Sequence, residues 1–506
     1  MNNTHTNERL CNSLVTWADL KTDGAKAWMK NKLSSCELTN NNPQLASHKI
    51  INFMKVCNNI DLNRYIERFS ELYNDIIIES TNSLETEATG ELIFLGELFQ
   101  PFNFIPYLLV IWSLMRVWIM PISSMIMPIL ILILPYFFIT CVIGQNFPVD
   151  TYIKILKSMA LSTISFGSEP GPSGNIMTLI SLGFTVFQSV IQSYWSHKHL
   201  YSIDTLLLKK ADKICEFLEL YENIYSILAT QAKIEIFRLK WPVNRNDTRQ
   251  TLAVALLYPN ILKIYIQCIV EVEVWVALSK KVSSGNAAVV QWCKNTKNPE
   301  FEIIKAYDPD VAPTSRVPIN IQIGSTSSKH YLLTGPNRGG KSTALRAIAA
   351  SIYLSHTFGI ALGTYCKSSI FNKFYICLTP DDLPGKKSRF EREIEFCKEI
   401  LSSKSERKIV LIDELFHSTN PPDAEFSSKI FTNQLWKTSN ILSIISTHLF
   451  EFVETAPSDI GRICCSAERI ITEDGKLRLI FSYGLSEGIC RVSSVESLLR
   501  KVRLLE

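Results

Sequence analysis

The thirteen cysteines of this 506-residue chain contain no C-x-x-C pair. The one close pair is Cys464–Cys465, and adjacent cysteines make poor zinc ligands, so no cysteine-based zinc module is expected. An odd count without a spaced framework reads as reduced thiols in a cytosolic compartment. An excess of either charge is also lacking. Fifty-two Lys and Arg face 48 Asp and Glu, a net charge of +4, so composition excludes a polybasic nucleic-acid binder and leaves room only for a local patch. The N-terminus, Met1-Asn2-Asn3-Thr4-His5, lacks the apolar core of a secretory signal, and nothing points to export. Charge is scarcest in one segment: Phe104 to Gly144 carries Arg116 alone, and Val117 to Pro148 carries none.

That segment shapes the expected organisation. The length calls for two or three domains, and a mean hydropathy of +0.10 is high for a soluble chain. One bilayer crossing takes about 20 apolar residues, so the segment is read as two membrane helices, Phe104–Met120 and Met125–Gly144, turning at Pro121, Ser123 and Ser124. Trp112, Trp118, Tyr107 and Tyr136 are candidate interfacial anchors, and Arg116 would snorkel to the far interface. The competing reading is a deeply buried soluble hairpin. Asn175–Trp195 is uncharged but less apolar, and is expected as a buried or interfacial helix rather than a third crossing. Two crossings place both flanking regions on one side, facing the cytosol, with an intracellular membrane as the location. Four regions result: a helical 1–98, amphipathic over 51–78; the hydrophobic hairpin at 99–150; a helical 151–298, with Glu271 and Glu273 in an otherwise apolar stretch; and 299–506, where strands and helices alternate from Tyr331 onward.

The chemistry concentrates in that last region. Tyr331–Thr334 reads as a strand, and Gly335, Gly340, Lys341 and Ser342 fit G-x-x-x-x-G-K-[ST] between this strand and a helix. Glycines let a backbone turn tightly and aim several N–H groups at phosphate oxygens. The helix N-terminus adds its positive end. Lys341 would reach the β- and γ-phosphates, and the Ser342 hydroxyl would ligate Mg2+. Further on, Lys408–Ile412 is an apolar strand followed by Asp413-Glu414. Asp413 would hold the Mg2+, and Glu414 would polarise an attacking water as general base. Ile444-Ile-Ser-Thr-His448 ends a third strand, and His448 would sense the γ-phosphate or steady the water.

Together these pieces resemble the ATPase domain of the MutS family, within the ABC-type class. The family's loop TGPNxGGKST is matched by Thr334–Thr343, with Pro336-Asn337 as the distinguishing pair, Arg338 at the variable place, then Gly339. The family's Ser-x-Phe before a Glu-rich helix is matched by Ser388-Arg389-Phe390-Glu391. Ser388 also fits an ordinary helix cap, with Glu391 completing a capping box. The resemblance covers roughly 300–490. It implies an α/β P-loop ATPase domain, bound ATP and Mg2+, and a homodimer in which Ser388 of one chain completes the site of the other. Two features depart from the repair members. Leu415–Pro422 replaces their Gly-Arg-Gly-Thr stretch, and the mismatch-reading domain has no counterpart. Phe69-Ser70-Glu71 and Phe217-Leu218-Glu219 spell the family's mismatch wedge but lie on helical patterns. Membrane-attached MutS-like proteins without mismatch domains are the nearest match. Two alternatives stay: a DNA-binding mismatch-repair ATPase, with Lys386, Lys387, Arg389 and Arg392 as its small basic cluster, and a membrane-remodelling or scaffold ATPase with no DNA role.

Overall fold

The computed structural model describes residues 4–35, 42–78, 90–162, 174–232, 238–293, 298–378, 388–402, 406–471 and 477–492. They form two compact units. One comprises Met1–Glu67, Ile224–Ile236 and Gln267–Glu506, the other Arg68–Asn223 and Phe237–Ile266.

The first unit carries two sheets. The larger has six strands: β5 (His330–Thr334), β8 (Lys373–Cys377), β9 (Lys408–Ile412), β10 (Ile441–Ser446), β11 (Gly461–Ile471) and β12 (Leu477–Glu487), in the order β12-β11-β5-β10-β9-β8. All neighbours pair parallel except β12, which closes one edge antiparallel to β11. Every residue of β9 and β10 is buried, as a strand covered on both faces requires. Short strands β1 (Ala288–Val289) and β6 (Ile360–Ala361) pair with each other. The second sheet joins β2 (Gln291–Trp292), β7 (Tyr365–Ser368), β3 (Glu300–Ala306) and β4 (Ile319–Gly324).

Helices α1 (Thr4–Ala18), α2 (Asp23–Ser34) and α3 (Pro43–Asn59) belong to the same unit. The acids noticed in the apolar stretch work here. Buried Glu273 accepts from Lys21 N–H, Thr22 N–H and the Thr22 hydroxyl at 2.8, 3.0 and 2.6 Å, and the Thr22 hydroxyl in turn caps α2. Glu271 pairs with Lys49 at 2.5 Å.

The second unit is helical. Leu108–Leu114, a π-turn at Met115–Ile119, Met120–Phe137 and a second π-turn at Phe138–Val142 follow one another without a gap. The expected turn at Pro121, Ser123 and Ser124 is therefore absent, and 108–142 is one helix. Three contacts explain why. Pro121 follows directly on a π-turn, where the ladder is already shifted. The Ser123 and Ser124 hydroxyls fold back onto the carbonyls of Met120 and Pro121, at 2.8 and 2.9 Å. The Val117 carbonyl, which Pro121 deprives of its N–H donor, lies 2.7 Å from His197 Nδ1. The neighbour of this helix comes from much later in the chain, in the 54-residue helix Gly174–Ile227. Ser124 and Ser193 hydroxyls meet at 2.6 Å, and the rings of Trp118 and His197 lie 4.6 Å apart. By length and composition, Leu108–Ile131 is long and apolar enough to cross a membrane, with 11% of its window buried. Phe69 and Phe217 are fully buried with ring centroids 6.0 Å apart, so both wedge-like triplets are packing positions.

Candidate nucleotide-binding site

Ligands of open parallel sheets gather outside the carboxyl ends of the strands. Here the carboxyl ends of β5, β9 and β10 are adjacent and carry, in turn, Gly335–Gly340, Asp413-Glu414 and Thr447-His448. The loop is built for close approach. Gly335 sits at φ 146°, and a Cβ there would stand 2.7 Å from the Cys465 carbonyl. Gly340, at φ 101°, opens the helix Lys341–Phe358 and accepts from Ala344 N–H at 2.8 Å. Arg338 adopts φ 66° between them.

Lys341 is buried. Its ammonium donates to the loop's own carbonyls, Gly335 O at 2.9 Å and Pro336 O at 3.3 Å. Burial holds its pKa below the ordinary lysine value, and the nearby Glu414 and Asp413 charges oppose that shift. Asp413 is 9% exposed and accepts from the Ser446 hydroxyl at 2.5 Å. That same hydroxyl accepts from Glu414 N–H at 2.8 Å, so one serine on β10 fixes both acids of β9. Glu414 takes φ 58°, which turns its carboxylate off the strand line. Two imidazoles reach it: His448 Nε2 lies 3.0 Å from Oε1, and His417 Nδ1 lies 3.6 Å from Oε2. The His448 hydrogen bond is the main cause holding the Glu414 pKa below the usual carboxylate range. Burial opposes it, and the His417 and Lys341 charges add to it.

Ser388 caps the helix Arg389–Ser402. Its hydroxyl accepts from Glu391 N–H at 3.2 Å, and its own N–H donates to the Glu391 carboxylate at 2.9 Å. This is the reciprocal box expected of the pair. The same helix rests on the segment after Glu414, through Phe390 on Phe416 at 5.7 Å and the Ser418 hydroxyl on Glu393 at 3.0 Å. Of the basic cluster, Arg389 stands 3.9 Å from Glu393, and Lys386 and Lys387 lie outside the described residues.

A cleft of about 480 Å3 opens over the loop, lined by Pro336–Thr343, Glu414 and residues outside the motifs, among them Tyr307, Arg316 and Tyr483. Arg316 lies over the Tyr307 ring at 4.2 Å. Arg346 ties Asp308 to Thr343, at 2.7 and 3.2 Å. His417 had a sequence signal, since it stands in the stretch where the chain leaves the family pattern. Tyr483 had none, because only the β11–β12 pairing brings it to Gly340. The residues suit a Mg2+ nucleotide. The volume is in the range of small-ligand sites. Lys341 reaches only backbone carbonyls that a phosphate would replace. One carboxylate plus one hydroxyl is the sparse donor set of a Mg2+ that keeps water and phosphate ligands. Among the described residues no cluster of three or more His, Cys, Asp or Glu could hold a metal by itself.

The fold and the geometry of this site define an α/β domain of the kind that fits an ATPase. Residues 331–497 match the family model for MutS domain V. The chain is 24% identical over 244 residues to the DNA mismatch repair protein Msh6 of Gallus gallus, covering 44% of this chain and 18% of that protein. It is 24% identical over 145 residues to the DNA mismatch repair protein MutS of Pelotomaculum thermopropionicum, covering 28% and 17%. It is 30% identical over 151 residues to the DNA mismatch repair protein Msh3 of Dictyostelium discoideum, covering 28% and 11%. The C-terminal third is thus related to the MutS family, and the matched part spans less than a fifth of each of these relatives.

Proposed function

We propose that this chain binds ATP with Mg2+, hydrolyses it to ADP and phosphate, and does so as a homodimer attached to an intracellular membrane, with the nucleotide site facing the cytosol. The observation that carries the ATPase reading is the convergence of the glycine loop, Asp413-Glu414 and His448 at three neighbouring strand ends. Lys341 exchanges the Gly335 and Pro336 carbonyls for phosphate oxygens. Ser342 and Asp413 hold Mg2+, which screens the phosphate charge. Glu414 accepts the proton of the attacking water. His448 keeps that carboxylate ionised and aimed, and His417 adds to both effects from the other oxygen. Ser388 from a second copy would complete the site, as the MutS resemblance implies.

Glu414→Gln keeps shape and loses the base. Its turnover is expected to fall by about 10²–10⁴-fold with ATP binding retained, measured by phosphate release beside nucleotide titration. Persistent turnover would remove Glu414 from the role. The relatives' names favour a second reading, action on DNA. Stimulation of turnover by duplex or mismatched duplex would establish it; salt-insensitive, unstimulated turnover would dismiss it.

A further inference from the structure

The helix 108–142 has one buried stripe, Leu109, Ser113, Val117 and Pro121, and is largely exposed on its other faces. Ile129, Leu130, Ile131, Ile133 and Leu134 are 47, 42, 67, 46 and 63% exposed. Successive helical residues stand 100° apart, so these five span an arc of about 200°. A protein partner, including a second copy of this chain, covers one stripe of a helix. An exposed apolar arc this wide, beyond what one stripe of contact covers, needs an apolar surrounding on more than one side. The helix beside it continues the pattern, with Phe184, Phe187 and Ile191 exposed by 63, 61 and 39%.

Resting on the membrane reading above, we infer that 117–143 and 175–195 are the two crossings of a lipid bilayer, antiparallel to each other, with 144–148 on the face opposite both flanking regions. The partner is the hydrocarbon of the bilayer. This threading replaces the turn at Pro121 with one beyond Val142, where Gly144 takes φ 74°.

Three further observations support it. First, neither crossing carries an acid or a base: the nearest charges are Arg116 and Asp150 on one segment and Lys198 on the other. Second, several polar groups among the described residues of the pair are satisfied inside it, as hydrocarbon demands. Ser193 donates to Ser189 O at 2.7 Å and Thr140 to Tyr136 O at 2.9 Å, and the Val117 carbonyl meets His197. Third, amphipathic side chains mark two levels. At one, the Trp118 ring lies tilted against His197, Arg116 pairs with Glu91 at 3.1 Å, and Lys198 lies 5.4 Å over the Trp195 ring. At the other, Tyr136 meets Tyr152 at 5.2 Å. Trp118 and Tyr136 are separated by about 27 Å of helix rise, close to the ~30 Å hydrocarbon thickness. Aromatic belts occupy those interfaces.

The test uses the full chain in sealed vesicles whose outer face carries the nucleotide site. Two variants, Asn146→Cys and Thr326→Cys, are exposed to a membrane-impermeant maleimide, and modification is read peptide by peptide by mass. Phosphate release from ATP, or failing that thermal unfolding equal to the parent's, confirms that each variant is folded; Gln145→Cys replaces Asn146→Cys if it is not. Labelling at 146 at least tenfold slower than at 326, equalised by detergent, supports the threading. Equal labelling on protein that resists alkaline carbonate overturns the threading and leaves membrane attachment standing. Protein released by carbonate overturns both.

Discussion

The helices Lys341–Phe358 and Leu108–Ile131 are both poor in charge, and the protein treats them oppositely. Fifteen of the 18 residues of the first are buried, whereas the second buries 11% of its most apolar window. The buried helix mixes small and hydroxyl residues with Leu, Ile, Tyr and Phe. Ala344, Ala347, Ala349 and Ala350 allow close packing, and Ser351 and Ser355 return their hydroxyls to helix carbonyls at 2.9 and 2.8 Å. The exposed one is built mostly from Ile, Leu, Met, Val and Trp, residue types equally at home in a core, and its own unit leaves it largely uncovered. Avoidance of water is written in composition. What replaces the water depends on what the fold brings alongside.

Truncation separates the two most sharply. Ile348→Ala removes a side chain 1% exposed and leaves a cavity, so the nucleotide-site unit should lose about 2–5 kcal/mol. Ile131 is 67% exposed, and Ile131→Ala should change unfolding of the detergent-solubilised chain by roughly 0.5 kcal/mol or less. Denaturant titration of both variants measures the contrast. Equal losses would mean that the helix 108–142 is packed in solution and that the comparison is mistaken.

The same contrast governs what the sequence revealed. The glycine loop and the acid pair were legible because each is local: a strand, a tight turn and a helix in one stretch of chain. Their meeting followed from parallel strand order, since strand ends share one edge. The hairpin turn was not legible. Pro121, Ser123 and Ser124 carry every local sign of a turn, and the contact at the carbonyl that Pro121 leaves open comes from His197, 80 positions from Val117. The same limit hid Tyr483 and the role of Glu273, whose partners lie far off in sequence. Ser388 shows the reverse: its cap was readable from spacing alone.

Acid should next act on the first unit, through two buried histidines. His330, against the Ser443 hydroxyl at 2.8 Å, and His356, whose Nε2 accepts from Phe371 N–H at 3.0 Å, are both pushed down to about 4 by burial. Unfolding returns each toward the ordinary 6.5, so between pH 6.5 and 4 the unfolded chain binds more protons. Stability is therefore full above pH 6.5 and declines as pH falls, by about 1.4 kcal/mol per pH unit for each histidine. Below pH 4 these two add no further loss. His356→Gln should halve the slope in a pH series of denaturant midpoints, and an unchanged slope would place the acid response elsewhere.

The smallest effect sharpens the boundary between folding and function in that unit. Ser388 and Glu391 bond to each other reciprocally, so removing either side chain should weaken the helix Arg389–Ser402 by a similar ~1 kcal/mol. If Ser388 is only a cap, Ser388→Ala and Glu391→Ala will match in both stability and turnover. If it also reaches the nucleotide of a second copy, Ser388→Ala alone will lower turnover, and the deficit will appear at protein concentrations where the chain is dimeric. Thermal unfolding beside phosphate release, each across a dilution series, separates these outcomes. The second is expected. The cap occupies the Ser388 hydroxyl only as an acceptor for Glu391 N–H, which leaves its proton free to be donated to a phosphate oxygen.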